Sequence, residues 1–367
     1  MSILENNQQM RIAIVPLKAV SVLNQANLIK KTIEHFHHDA IIKTYIDAFK
    51  CRPPNIDGVI FFTLGAVAFL QEVLPQYIMC KAEKIVYATV EGVPSRVMME
   101  HGNFDKLDIV AVSKWVADQL RKAGLSVIDW VHHAIDIEES KKAIEHGDKL
   151  RQKLEREYPN RVKFLYVGRN DPRKGLNILA KAVEMLNEKA KDQYILLTIT
   201  DNPNGELWQK ENVKNIAKFG DMPHFMVLAY MRACDYLVFP TMSEGFGLPL
   251  LEANSVGRPV IHAWIPPLDE FSDKTFNFVF DFDEIKLIPI RTGQYWVLHV
   301  YDPYYLADTM QYAIDIYKNN KDDYEKYCEM AIEHSWKWDY RRVYPRLLRY
   351  VGLDIDLYKC EIKGECI

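Results

Sequence analysis

The residues best placed to do chemistry are two glutamates in the segment Ser243-Glu244-Gly245-Phe246-Gly247-Leu248-Pro249-Leu250-Leu251-Glu252. It follows a short apolar run, Tyr236-Leu237-Val238-Phe239, and Pro249 suits the first turn of a helix. Gly245 and Gly247 allow a backbone to approach a ligand closely. The amides of residues 246 to 248, at a helix start, suit an anion. Glu252, on the helix behind, can accept two hydrogen bonds at once, which fits the vicinal hydroxyls of a ribose. Glu244, ahead of the amides, faces whatever is carried beyond the phosphates. The plainer alternative is a glycine-rich turn with a surface glutamate on each side. The bracketing of both glycines between a strand and a proline-started helix argues against it.

A second segment, Val167-Gly168-Arg169-Asn170-Asp171-Pro172-Arg173-Lys174-Gly175-Leu176, has the same strand-to-helix setting. Gly168 gives a tight turn, and Arg169 and Lys174 put two cations at the strand-end rim. Arg173 reads as a spare, exposed cation. An enzyme that breaks a sugar–diphosphate bond must neutralise charge growing on the leaving group, with a metal or with fixed cations. Cations are supplied here, so neither a metal nor a bound cofactor is expected. An ordinary basic turn would explain Arg169 and Lys174 if they stood alone. The triplet Asp281-Phe282-Asp283 has the letters of a metal motif but reads as a solvated loop.

These segments need strands to hold them. Arg11–Val15, Gly58–Phe62, Lys84–Ala88 and Ile109–Val112 are continuous apolar runs, as are Val162–Val167, Tyr194–Ile199, Tyr236–Phe239 and Pro259–Ile261. Such runs are typical of parallel strands covered on both faces. Helices are expected at 22–36, 65–74, 113–123 (N-cap Ser113, stop at Gly124), 138–157, 303–318, 322–334 and 338–351. Strand–helix alternation implies an α/β, doubly wound architecture. The expected domains are 1–150, completed by a C-terminal helix at about 338–353, and 151–337, with a tail at 354–367.

The 367 residues are 49% hydrophobic, enough for two cores, and the net charge of −4 argues against nucleic acid. The cysteines at 51, 80, 234, 328, 360 and 366 form no Cys-x-x-Cys pair and read as reduced core thiols. Cys360 and Cys366 are close enough in sequence for a local bridge. The first residues carry no basic and apolar leader, so the cytoplasm is the expected compartment. Lys114, Trp115, Arg121 and Lys122 on one helix, and Arg341, Arg342, Arg346 and Arg349 on another, could meet anionic lipid headgroups in a peripheral membrane contact. A solvated basic face is the alternative.

Both segments resemble the donor-binding domain of the family-4 retaining glycosyltransferases. Glu244 and Glu252 match that family's Glu-x7-Glu signature, and Gly168-Arg169…Lys174-Gly175 its phosphate-binding turn. Phe219-Gly220-Asp221 with Met231–Tyr236 looks like the approach to the donor strand, and Ser335–Tyr340 like the closing helix. The resemblance implies a GT-B fold, two facing Rossmann-like domains with an interdomain cleft. It implies transfer of a hexose from a UDP- or GDP-sugar to a hydroxyl of a carbohydrate, lipid-linked or protein acceptor, with configuration retained. By the same likeness Arg169 and Lys174 hold the diphosphate, Glu252 the ribose, and Glu244 with Gly245, Phe246, Gly247 and Leu248 the sugar; Gly168 shapes the turn. Glu244, Arg169 and Lys174 are the catalytic candidates. The N-terminal half departs from the pattern: Pro16–Val22 has no glycine. Glu91, in Thr89–Ser95, and His133, beside His132, are the acceptor-side candidates. Rival readings are another sugar-nucleotide enzyme of this fold, an epimerase or phosphorylase, and a non-catalytic assembly module.

Overall fold

Apolar runs of four to seven residues become parallel strands, in a computed structural model that describes residues 9–47, 50–64, 73–95, 107–290 and 293–355. Two compact units make up the chain. One is Met1–Ala134 with Pro289–Tyr295 and Asp339–Ile367, the other Ile135–Ile288 with Trp296–Trp338.

The first unit runs β1 (Arg11–Val15), α1 (Val20–His35), β2 (Asp39–Ile42), β3 (Gly58–Leu64), α2 (Leu74–Met79), β4 (Glu83–Thr89), β5 (Gly92–Pro94), β6 (Ile109–Ala111), α3 (Lys114–Lys122) and β7 (Val127–Trp130). Its six-stranded sheet is parallel, in the order β2-β1-β3-β4-β6-β7. Ile12, Ala13 and Ile14 of β1 and Val59, Ile60 and Phe61 of β3 are fully buried, as strands covered on both faces require. Ser113 Oγ accepts a hydrogen bond from Val116 N at 3.1 Å, capping α3, and Gly124, at φ +90°, ends it. The helix expected at 65–74 lies, up to residue 72, outside the described residues. The helix Tyr340–Leu348 belongs to this unit, where Arg346 grips Asp129 through Nη2 at 2.7 Å.

One expectation for this unit is corrected. Cys51 and Cys80 are not reduced but form a disulfide, Cα–Cα 4.9 Å. The amides of Lys81 and Ala82 donate to Cys51 O at 2.7 and 3.1 Å, and this backbone pairing brings the two thiols together. Cys234 and Cys328 are free and buried, while Cys360 and Cys366 lie outside the described residues. Trp115 is buried, and Lys114 and Arg121 both pair with Asp118, so this helix presents no aromatic anchor for a membrane. Among the described residues, no helix is long and apolar enough to cross one.

The second unit opens with α4 (Ile137–Glu157), whose N-cap Asp136 accepts from Glu139 N. It continues β8 (Val162–Val167), α5 (Leu176–Ala190), β9 (Tyr194–Ile199), β10 (Val213–Ala217), α6 (His224–Ala233), β11 (Tyr236–Phe239), α7 (Leu248–Ser255), β12 (Val260–Ala263) and β13 (Phe278–Phe280). After β14 (Glu284–Ile290) and β15 (Gln294–Val300) come α8 (Pro303–Asn319) and α9 (Lys321–Ser335). The second parallel sheet has the order β10-β9-β8-β11-β12-β13. From β8 the chain moves outward through β9 and β10, then returns to place β11 on the other side of β8. The order therefore reverses between β8 and β11, and ligands of open α/β sheets bind at the carboxyl ends beside such a reversal. The loops leaving those two ends are 168–175 and 240–247. They are the two segments whose chemistry stood out in the sequence.

Candidate functional site

The first loop leaves β8 at Gly168, where a Cβ would press on the Tyr166 hydroxyl at 2.9 Å. That hydroxyl donates to Arg169 O at 3.0 Å and fixes the turn. Burial, reinforced by the nearby negative charge of Glu244, pushes its pKa up, so it stays a neutral donor. Asp171 then caps a single 3₁₀ turn, Pro172–Lys174. Gly175 follows at φ +72°, and any side chain there would collide with the carbonyl of Pro240. The two loops thus lie backbone against backbone: Met242 N and Thr241 Oγ1 donate to Arg173 O at 2.8 and 3.3 Å.

This docking brings three charges together. Lys174 Nζ lies 2.5 Å from Glu244 Oε1, and Arg173 Nη1 lies 3.6 Å from Glu244 Oε2 and donates to Ser243 O at 3.0 Å. Glu244 is only 6% exposed. Burial alone would raise its pKa, but Lys174 and Arg173 outweigh that and hold it below its ordinary value. It is a buried, ionised carboxylate clamped by two cations.

Arg173 is therefore corrected. Its side chain is 11% exposed, because the bonds from loop 240–247 to its carbonyl draw the residue in beneath Ser243. Lys174 is likewise no exposed turn residue, at 16%. Arg169 is the cation left at the rim, 71% exposed, its Nε 3.2 Å from Asp201 Oδ2. The structure joins Lys174 and Arg173 to Glu244 and ties Arg169 to Asp201 instead.

Behind the second loop, Gly247 has φ +106° and lies where a Cβ would strike Leu268, so only glycine leads cleanly into α7. Phe246 stacks on Phe271 at 4.6 Å, anchoring Gly245 and Leu248 on either side of it in a buried turn. Glu252, on α7, meets His224 Nε2 at 3.0 Å, and the other ring nitrogen meets Glu139 Oε2 at 3.0 Å. Burial works against charging this ring, but its hydrogen bonds to Glu139 and Glu252 outweigh that and raise the pKa from 6.5 to about 10. His224 and Glu139 escaped sequence reading, having no motif around them and lying 28 and 113 residues from Glu252.

A pH dependence follows. A pKa raised on folding contributes stability that is complete below the unfolded value and is lost as pH climbs through the folded one. The melting temperature of the native chain should exceed that of His224→Gln most below pH 6.5, and the gap should close towards pH 10. A gap that stays constant over this range would contradict the assigned charge.

The acceptor-side candidates belong to the first unit. Glu91 is half-buried between β4 and β5. His133 is buried edge-on against Tyr87, ring centroids 5.3 Å apart, and burial with neighbouring His132 lowers its pKa to about 3. It is a neutral ring within a packed interior. Asp281 and Asp283 follow β13 in a loop, Asp283 accepting from Asp302 N at 2.9 Å.

Residues 148–287, which include both loops and α7, match the sequence profile of a family described as "Glycosyl transferases group 1". These residues form a domain of the group 1 glycosyltransferases. It is 27% identical over 303 residues to the uncharacterized glycosyltransferase 335 of Sulfolobus islandicus rod-shaped virus 1, covering 80% of this chain and 88% of that one. It is 32% identical over 108 residues to the D-inositol 3-phosphate glycosyltransferase of Corynebacterium glutamicum; that match spans 27% of this chain and 26% of the relative's length. Among solved structures, a glycosyltransferase of Rickettsia africae superposes with a TM-score of 0.70 at 15% identity, over 95% of this chain and 99% of its own. Anabaena Alr3699/HepE in complex with UDP and glucose gives 0.65 at 14%, over 94% and 100%. At these identities the likeness establishes the fold, GT-B. With this domain the chain is a glycosyltransferase that takes its sugar from a nucleotide-sugar donor.

Proposed function

We propose that this glycosyltransferase moves a hexose from UDP-hexose to a hydroxyl of a carbohydrate, lipid-linked or protein acceptor, keeping the anomeric configuration. The observation that carries the reading is the Lys174–Glu244–Arg173 cluster on the two loops beside the β8/β11 reversal. The UDP and glucose held by the Anabaena neighbour favour uridine and a hexose over a GDP-linked donor. In this reading Glu252 takes the ribose hydroxyls. Lys174 takes the outer phosphate, with Arg169 reaching in from the rim. Glu244 faces the sugar and its developing positive charge. The bond from C1 to the phosphate oxygen breaks and a bond from C1 to the acceptor oxygen forms on the same face. The acceptor's proton passes to the departing phosphate. The protein supplies orientation and fixed charge.

A ligand that binds only the folded chain raises its melting temperature; at 100 times the Kd the gain is about 2.7 kcal/mol. UDP is expected to raise it by several degrees, and GDP and ADP by less. Equal shifts with all three nucleotides, or none with UDP, would remove the uridine assignment.

A further inference from the structure

His224 is the first residue of α6, yet it carries a positive charge where a helix dipole disfavours one. Helix stability does not explain it. What faces the ring are two carboxylates from two other helices: Glu139 on the first turn of α4, 3.0 Å from Nδ1, and Glu252 on α7, 3.0 Å from Nε2. The helices carrying them are locked side by side. Ser140 Oγ and Ser255 Oγ lie 2.8 Å apart, and Ser255 Oγ donates to Glu252 O at 2.7 Å. Carboxylates on both nitrogens of one ring repel each other. A ring donating to both removes the repulsion and keeps both ionised. It also engages Oε1 of Glu252. Glu252 is 14% exposed, so a single rotamer matters more than at an open surface.

We propose that His224 is a positioning residue for donor binding: it orients the Glu252 carboxylate towards the ribose hydroxyls, while Glu139 holds the far side of the ring. The inference rests on the reading of Glu252 as the ribose ligand. It adds a buttress reaching back to α4, and makes selection of ribose over a deoxygenated sugar depend on a residue that need not touch the nucleotide.

The test is calorimetric titration of UDP and of 2′,3′-dideoxy-UDP into the full chain and its variants. Glu252→Gln should lose about tenfold or more in UDP affinity, the scale of one charge-assisted hydrogen-bonding group, and little with dideoxy-UDP. His224→Gln should lose roughly five- to tenfold with UDP, again little with dideoxy-UDP, and nothing further when combined with Glu252→Gln. Glu139→Gln leaves the ring in place and guards against a misfolded His224 variant; its loss should be about two- to fivefold and confined to UDP. A merely structural role would weaken both nucleotides alike, and His224→Gln would add its full loss in the double variant; either result overturns the proposal. UDP affinity unchanged in Glu252→Gln would instead overturn the ribose assignment, and the role of His224 with it.

Discussion

Lys174→Ala is expected to lower the turnover of UDP-glucose by about 10²–10³, the cost of removing one preorganised stabiliser of a leaving group. In the proposed reaction UDP departs, extra negative charge gathers on the outer phosphate, and a cation already in place stabilises it. In the proposed reading Lys174 is that cation. It is held by the cramped turn at Gly175, it is 16% exposed, and its ammonium is parked 2.5 Å from the carboxylate of Glu244. In the free chain that carboxylate occupies the ammonium; an arriving diphosphate would take it over. The fold should survive the substitution, because Arg173 remains 3.6 Å from Glu244 and keeps the buried carboxylate partnered. Release of UDP from UDP-glucose, with a melting curve of the same preparation, measures both halves. Unchanged turnover in a folded variant would place the phosphates elsewhere.

Glu244 should respond in two different ways to two substitutions. Glu244→Ala removes the anion from between Lys174 and Arg173, and deleting one partner of a buried pair costs about 3–5 kcal/mol. The melting temperature should fall steeply, by about 2–4 °C for each kcal/mol in a unit of this size. Glu244→Gln keeps the shape and loses the charge. UDP affinity should stay level or rise, since Lys174 no longer has a competing carboxylate, while turnover falls by about 10² for want of a charge facing the sugar. The carboxyl is held below its ordinary pKa of 4.5, so its stabilising pairing is complete above that value and is lost as acid protonates it. The acid limb of the native chain's stability profile should therefore be shallower in Glu244→Gln. A fall in UDP affinity as large as the fall in turnover would show that Glu244 serves the nucleotide.

The central strands were legible because parallel strands covered on both faces must be apolar throughout: Val162–Val167, Tyr194–Ile199 and Tyr236–Phe239 form as read. Strands at the margins were not. Of β10, Lys214 and Asn215 are exposed and break its apolar run, and β14 mixes exposed Ile285, Leu287 and Ile288 with Glu284, Lys286 and Pro289, so it does not read as a strand covered on both faces. The two loops were legible because glycines at 175 and 247 mark backbone conformations that few other residues tolerate. Which neighbouring cation turns inward was not. Arg169, Arg173 and Lys174 differ only in how bonds from residues 241 and 242 pull on the 3₁₀ turn, a tertiary fact. The same holds for His224, whose partners lie on two other helices, and for Cys51 and Cys80, 29 residues apart and joined by backbone pairing that no local spacing announces.

The account stands most directly on one comparison: release of UDP from UDP-glucose by the native chain in excess EDTA, beside Lys174→Ala in millimolar manganese. If Lys174 with its neighbouring cations carries the charge of the leaving group, the native chain keeps its full rate in EDTA. The variant then stays about 10²–10³ slower whether or not manganese is present. A native rate that vanishes in EDTA and returns with manganese, or a variant that manganese restores, would contradict it.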